Sequence, residues 1–118
     1  MATLNAKLTL SGTDLTSDSL NMTVSDAISV SKSVELKRIA LSTTAKNILP
    51  AADYTKAFVY VKNVDTTETV KLIKAEAGDI YMDLGPGEFG FFPWDTHVDL
   101  LADAVNGTPT LEVAIFEV

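Results

Sequence analysis

Reactive side chains are scarce in this chain. Its 118 residues hold one histidine, His97, and no cysteine, against sixteen aspartates and glutamates. Serines and aspartates could in principle join His97 in a proton relay. No Gly-x-Ser-x-Gly elbow or comparable motif frames a serine, however, and His97 reads as a partly exposed strand residue near Trp94. A carboxylate pair for hydrolysis would fall to Glu88 and Asp95, the acids that flank the ring-rich run from Phe89 to Trp94. Asp95, Asp99 and Asp103 recur every four residues. On a helix they would share a face and could gather calcium through oxygen ligands. On a strand they would spread over about 27 Å. No EF-hand-like loop accompanies them, and the absence of cysteine removes any disulfide framework or thiolate metal site. The expectation is a protein that is not an enzyme, with no catalytic, cofactor or metal site. Asn21-Met22-Thr23 and Asn106-Gly107-Thr108 match the glycosylation pattern, which carries little information in a chain this rich in Asn and Thr.

Charge is distributed unevenly. The formal net charge is −7, with nine basic residues in all, none of them beyond Lys74. Residues 75–118 carry nine acids and no Lys or Arg. Binding phosphate requires cations that displace counterions, so neither a nucleic acid nor an anionic membrane surface is an expected partner. The acidic segment suits either basic partner surfaces or a solvated face that keeps the protein soluble. Apolar residues make up 47% of the chain, enough for one modest globular core and too many for global disorder. No run approaches the ~18 apolar residues of a membrane-spanning helix. Residues Met1 to Leu10 lack the basic and apolar blocks of a signal peptide, so none is expected.

The elements that must position these residues read as strands. The stretch Leu84 to Trp94 holds three of the six glycines, three of the five phenylalanines and the only tryptophan. Gly85-Pro86-Gly87 can turn sharply, and the rings after it fill space, so the stretch reads as a core hairpin; a row of ligand-stacking aromatics is the competing reading. Leu4, Ala6, Leu8 and Leu10 alternate with polar residues, as in a half-buried strand that ends at Ser11-Gly12-Thr13-Asp14. Residues 1–19 could form an extended N-terminal arm, with disorder as an alternative for 11–19. Alternation resumes at Leu20, Met22 and Val24, then at Ile28 and Val30. Val34 to Leu41 continues in β character, and a slip of phase between Leu36 and Ile39 predicts a bulge near Lys37-Arg38. Asn47 to Tyr54 reads as a loop. Lys56 to Asn63 is the strongest strand, apolar on both faces. Asp65-Thr66-Thr67 turns the chain into Thr69 to Lys74, which is expected to pair with 56–63 as a hairpin. Ile80–Leu84 and Glu88–Phe92 follow. Thr96 to Asp103 suits a helix or a strand, and the strand, paired with Thr110–Val118 across the Asn106-Gly107 turn, is preferred. Eight to ten short strands with regularly spaced turns predict an all-β fold: a single-domain antiparallel β-sandwich, jelly-roll-like, over residues 1–118.

Three segments form a recognisable series: Lys56-Ala-Phe-Val-Tyr-Val-Lys-Asn63, Gly85-Pro-Gly-Glu-Phe-Gly-Phe-Phe-Pro-Trp94, and Thr108-Pro-Thr-Leu-Glu-Val-Ala-Ile-Phe-Glu117. Across residues 54–118 the chain resembles small virion structural proteins of tailed bacteriophages, of the marine and cyanobacterial type. The resemblance implies a β-sandwich present in many copies on a particle: a trimeric capsid decoration or cement protein that clamps major capsid subunits from outside after assembly in the host cytoplasm. A tail, neck or fibre component is the alternative, with Trp94, Phe91 and Phe92 stacking on sugars. Partner contacts are expected at Leu4, Leu8 and Leu10 of the N-terminal strand and at Phe91, Phe92 and Trp94.

Overall fold

The computed structural model describes residues 2–15, 17–32, 35–75, 78–94 and 97–118. Alternating side chains produce ten strands and three sheets, with no α-helix among the described residues. Strands β1 (Ala2–Gly12) and β2 (Leu20–Val30) pair only with each other, antiparallel and without a register shift from Ala2↔Val30 to Gly12↔Leu20. The remaining eight are β3 (Lys37–Ala40), β4 (Lys46–Leu49), β5 (Ala57–Asn63), β6 (Val70–Lys74), β7 (Asp79–Leu84), β8 (Phe89–Trp94), β9 (Leu100–Ala104) and β10 (Thr110–Glu117). They form two four-stranded antiparallel sheets, ordered β3-β10-β5-β8 and β4-β9-β6-β7.

The two sheets pack face to face in a sandwich-like arrangement. Val59, Val61, Leu111, Val113, Phe92 and Trp94 come from the first sheet; Leu49, Val70, Leu72, Leu84, Leu100 and Ala102 come from the second. Period-two patterning decides which residues these are. In β5 the residues Ala57, Val59, Val61 and Asn63 are buried, while Phe58, Tyr60 and Lys62 point to the other face.

The chain crosses between the sheets at almost every connection. Only β6 and β7 are consecutive neighbours within one sheet of the sandwich. Three expected hairpins are therefore corrected: β5 with β6, β7 with β8, and β9 with β10 each lie in opposite sheets. The physical reason is the need of each apolar face for cover. A β5–β6 hairpin would set Val70 and Leu72 beside Val59 and Val61, with nothing opposite them; sending β6 across the core places the two sets face to face.

Other expectations also shift. Within 47–54, Ile48 and Leu49 belong to a strand and are buried, and only Ala51–Asp53 form a short 3-10 turn. No irregularity interrupts the pairing of Lys37–Ala40 with β10. Leu36 lies outside the strand, and Val34 lies outside the described residues. The shifts in register occur instead between Asn47 and Leu49 and between Leu72 and Ile73. Of the span 96–103, Thr96 lies outside the described residues and the helical reading is not realised in the rest: Leu100 to Ala104 are strand, and His97 sits exposed in a turn rather than in a strand. The N-terminal extension is longer than an arm of residues 1–19, because β1 is one limb of a hairpin that runs to Val30.

The hairpin is tied to the sandwich at one end. The Ser31 amide donates to the Glu117 carbonyl at 2.8 Å, and Lys32 pairs with the Glu117 carboxylate at 3.2 Å. Ile28 and Val30 are buried there. The radius of gyration is 15.7 Å, against about 13.5 Å for a compact 118-residue domain, as a projecting element requires.

Candidate functional site

Strand β8 sorts its rings by alternation. Phe92 and Trp94 face the core at 8% and 6% exposure, whereas Phe89 and Phe91 face outward at 63% and 41%. The neighbouring strands add Phe58 and Tyr60 of β5 and Phe116 of β10 to the same outer face. Phe58 stacks on Phe91 with ring centroids 5.5 Å apart, and Phe91 meets Phe116 edge-on at 6.2 Å. Phe58 and Phe91 are diagonal neighbours, since Phe58 pairs with Pro93 and Phe91 with Tyr60; rings reach across such diagonals.

The hairpin leans over this aromatic face. Directly opposed residues on an antiparallel pair share a face, so Leu4 with Ile28, Leu8 with Val24 and Leu10 with Met22 build one apolar side. Thr3, Asn5, Thr9 and their partners Ser29, Ala27 and Thr23 form the other. Between the apolar side of the hairpin and the outer face of β10-β5-β8 lies an open cleft of about 650 Å³, lined chiefly by Leu4, Leu8, Val24, Phe58, Phe91 and Phe116. Lys7, Asp26 and Tyr60 border it.

The polar edge of this face is electrostatically ordered. Tyr60 donates its hydroxyl to Glu112 Oε1 at 2.8 Å, and Arg38 Nε donates to Glu112 Oε2 at 3.3 Å. Desolvation, followed by the bond to Glu112, raises the Tyr60 hydroxyl above its ordinary value. The bond from Tyr60, reinforced by Arg38, holds the Glu112 carboxyl below the usual carboxylate range. Glu112 is thus fixed as an anion by two donors, which leaves it poorly suited to accept a proton from a substrate.

Of the residues expected to touch a partner, the structure gathers Leu4, Leu8 and Phe91 around one cleft. Leu10 lies on the same face of the hairpin, farther out. Phe92 and Trp94 are elsewhere. Both belong to the core, and the indole nitrogen of Trp94 already donates to the Val98 carbonyl at 3.0 Å. Tyr81 covers Trp94 edge-on at 5.1 Å. Neither buried ring can lie flat on a ligand. Sequence reasoning missed Phe58, Tyr60 and Phe116. Their signal lies in the outward phase of the same strands, where Phe58 and Tyr60 alternate with Val59 and Val61 and Phe116 follows Glu112 and Ala114.

No protein-family model, curated protein or solved structure matches the chain. The site must therefore be read from its own residues. Among the described residues no three histidine or acidic side chains converge on a point. Asp99 accepts the Ala51 amide at 2.7 Å, and Asp103 pairs with Lys71 at 3.6 Å, so the two acids serve different neighbours. Asp95 lies outside the described residues. What the site can offer chemically is apolar contact: rings and branched side chains, and a cleft with few polar groups.

Proposed function

We propose that this chain is a non-enzymatic structural protein of a tailed-phage particle, a capsid decoration or cement protein that binds the outer shell as a trimer. One observation carries the reading: exposed rings, Phe89 and Phe91, stand on the edge strand of an aromatic sheet face. Contiguous exposed apolar surface marks a place where another macromolecule docks, and aromatic side chains are enriched at such contacts. The strand order supports a jelly roll, since β3-β10-β5-β8 against β4-β9-β6-β7 is what two interleaved Greek keys produce over eight strands. The resemblance of residues 54–118 to virion proteins supplies the partner class, the major capsid protein. A cement protein of this kind stabilises by mass action, binding the expanded lattice and not its precursor; at a hundredfold excess over Kd each site contributes about 2.7 kcal/mol.

The tail, neck or fibre alternative has less in its favour. Its sugar-binding form needs Trp94 and Phe92 at the surface, and both are core residues.

The test is uptake. Purified protein is mixed with expanded, undecorated heads built from the major capsid protein of the same phage. Stoichiometric binding and a higher rupture temperature are expected, and Phe89→Asp should lower uptake without altering the fold. Failure of the unmodified protein to bind overturns the reading.

A further inference from the structure

Among the described residues, the outer half of the hairpin keeps its apolar side chains exposed. Leu8, Leu10, Met22 and Val24 are 44–58% exposed on one face, and Leu15 at the tip is 67% exposed. An isolated two-stranded ribbon is at best marginally stable in water. This one is eleven residues long on each limb, and beyond the Leu8–Val24 pair its apolar side no longer lines the cleft against the sandwich. We propose that the distal apolar face of β1–β2, centred on the Leu10–Met22 pair, packs against a second copy of this chain. The inference rests on the particle reading only for the number of copies.

Two observations point to a second copy. The first is area. A compact monomer of 12.6 kDa exposes about 6,200 Å², whereas this chain exposes 7239 Å². The excess, about 1,000 Å² spread over the projecting hairpin and the open cleft, leaves room for the ~800 Å² that each partner contributes to a standard interface. The second is charge. Two copies at −7 repel each other, most strongly through the acid-only segment 75–118. Residues 8–13 and 19–25 carry no charged side chain at all. The distal face is thus the place where like-charged copies can approach, and its leucine, methionine and valine side chains suit their own kind.

Sedimentation velocity over a dilution series tests this. The unmodified protein is expected to self-associate at ~10 µM, and the association should hold or strengthen with added salt, which screens the mutual repulsion. Leu10→Lys combined with Met22→Lys should weaken association at least ~100-fold, because it buries unpaired charge. Thr9→Lys with Thr23→Lys, a pair on the opposite face, should not. A second measurement does not depend on those variants folding. The natural chain has no cysteine, so a Leu10→Cys thiol reports directly. Its reaction with a thiol reagent should slow as protein concentration rises, whereas a Thr9→Cys thiol should react at a constant rate. A protein that stays monomeric throughout, association abolished by salt, or equal behaviour of the two faces overturns the proposal. Because Leu10 and Met22 lie outside the cleft, these results are separable from capsid uptake, which is probed at Phe89.

Discussion

The side-chain amide of Asn63 donates to the carbonyl of Leu84 at 3.0 Å, joining the end of β5 in one sheet to the end of β7 in the other. The same nitrogen donates to the Glu68 carbonyl at 2.8 Å, and Asn63 Oδ1 accepts the Asp65 amide at 3.0 Å. Its backbone pairs with Glu88 and Gly87, both at 2.9 Å. Asn63 is fully buried, so every polar group it carries must find a partner inside the protein. One residue thus organises three features: the crossing from β5 to β6, the end of β7, and the turn into β8.

Replacing Asn63 with leucine or alanine is expected to cost about 2–4 kcal/mol, since it strands the buried Leu84 carbonyl and the half-buried Glu68 carbonyl and Asp65 amide. Urea denaturation checks this through the midpoint, with little change in slope. A loss below about 0.5 kcal/mol would mean that water or relaxation restores those bonds, and that Asn63 does not hold the sheets together.

Most of the elements were legible because they follow a local rule. Val59 and Val61 alternate with Phe58 and Tyr60, and Leu4 and Leu8 alternate with Asn5 and Lys7, so strands β5 and β1 could be read directly. Strand partners could not, because the choice between hairpin and crossing depends on what covers Val70 and Leu72, which lies elsewhere in the chain. Strand β4 was hidden for a different reason: Lys46 and Asn47 are polar, and Pro50 follows closely, so only Ile48 and Leu49 carry its signal. The candidate surface was half legible. Leu4, Leu8 and Phe91 were expected, but alternation sends Phe92 and Trp94 to the opposite side of the same strand.

The turn before β8 supplies a second prediction. Pro86 occupies the first central position, Gly87 adopts φ +78°, and the Glu88 amide donates to the Gly85 carbonyl at 3.1 Å. This is a type II turn, whose second central position favours glycine. Gly87→Ala is expected to cost about 1–2 kcal/mol through the left-handed backbone alone, since open space surrounds the added methyl. Thermal unfolding reads the loss. An unchanged melting temperature would show that the turn relaxes to a type that tolerates alanine.

Stability should depend on pH through Tyr60 and Glu112. Glu112 has a depressed folded pKa, so its contribution is present above the unfolded carboxylate range and is lost as pH falls through the folded value. Tyr60 has a raised folded pKa. Its contribution is complete below pH ~10, the unfolded tyrosine value, and disappears as pH rises through the folded one. Tyr60→Phe removes the shared bond and is expected to flatten the alkaline limb while shrinking the acid one. Urea midpoints across the pH range provide the check. Superimposable profiles for the two proteins would show that the bond has no net effect on folding.

Trp94 offers a spectroscopic test. A ring in the core, with its nitrogen bonded to the Val98 carbonyl, should emit at short wavelength and resist acrylamide. Cell-surface polysaccharide should leave its emission unchanged. Red emission with ready quenching would contradict the described placement of β8, and quenching by polysaccharide would revive the sugar-binding alternative.

Protection along the hairpin should be graded. Its base is held by the Ser31 amide on the Glu117 carbonyl, by Lys32 on the Glu117 carboxylate, and by the burial of Ile28 and Val30. Toward its tip Leu10, Leu15 and Met22 are exposed and none of these anchors is present. Local opening free energies follow such differences in packing, so amide exchange in dilute, monomeric protein should be slow near the Leu4–Ile28 pair and fast near Leu10–Met22. Glu117→Gln keeps the backbone acceptor and removes the ion pair, so it should speed exchange at the base while leaving β5 unchanged. Raising the concentration should slow exchange at the tip selectively if a second copy covers it. Uniform protection along both limbs of the dilute protein would mean that the hairpin behaves as one unit with the sandwich, and that its outer face needs no partner to be stable.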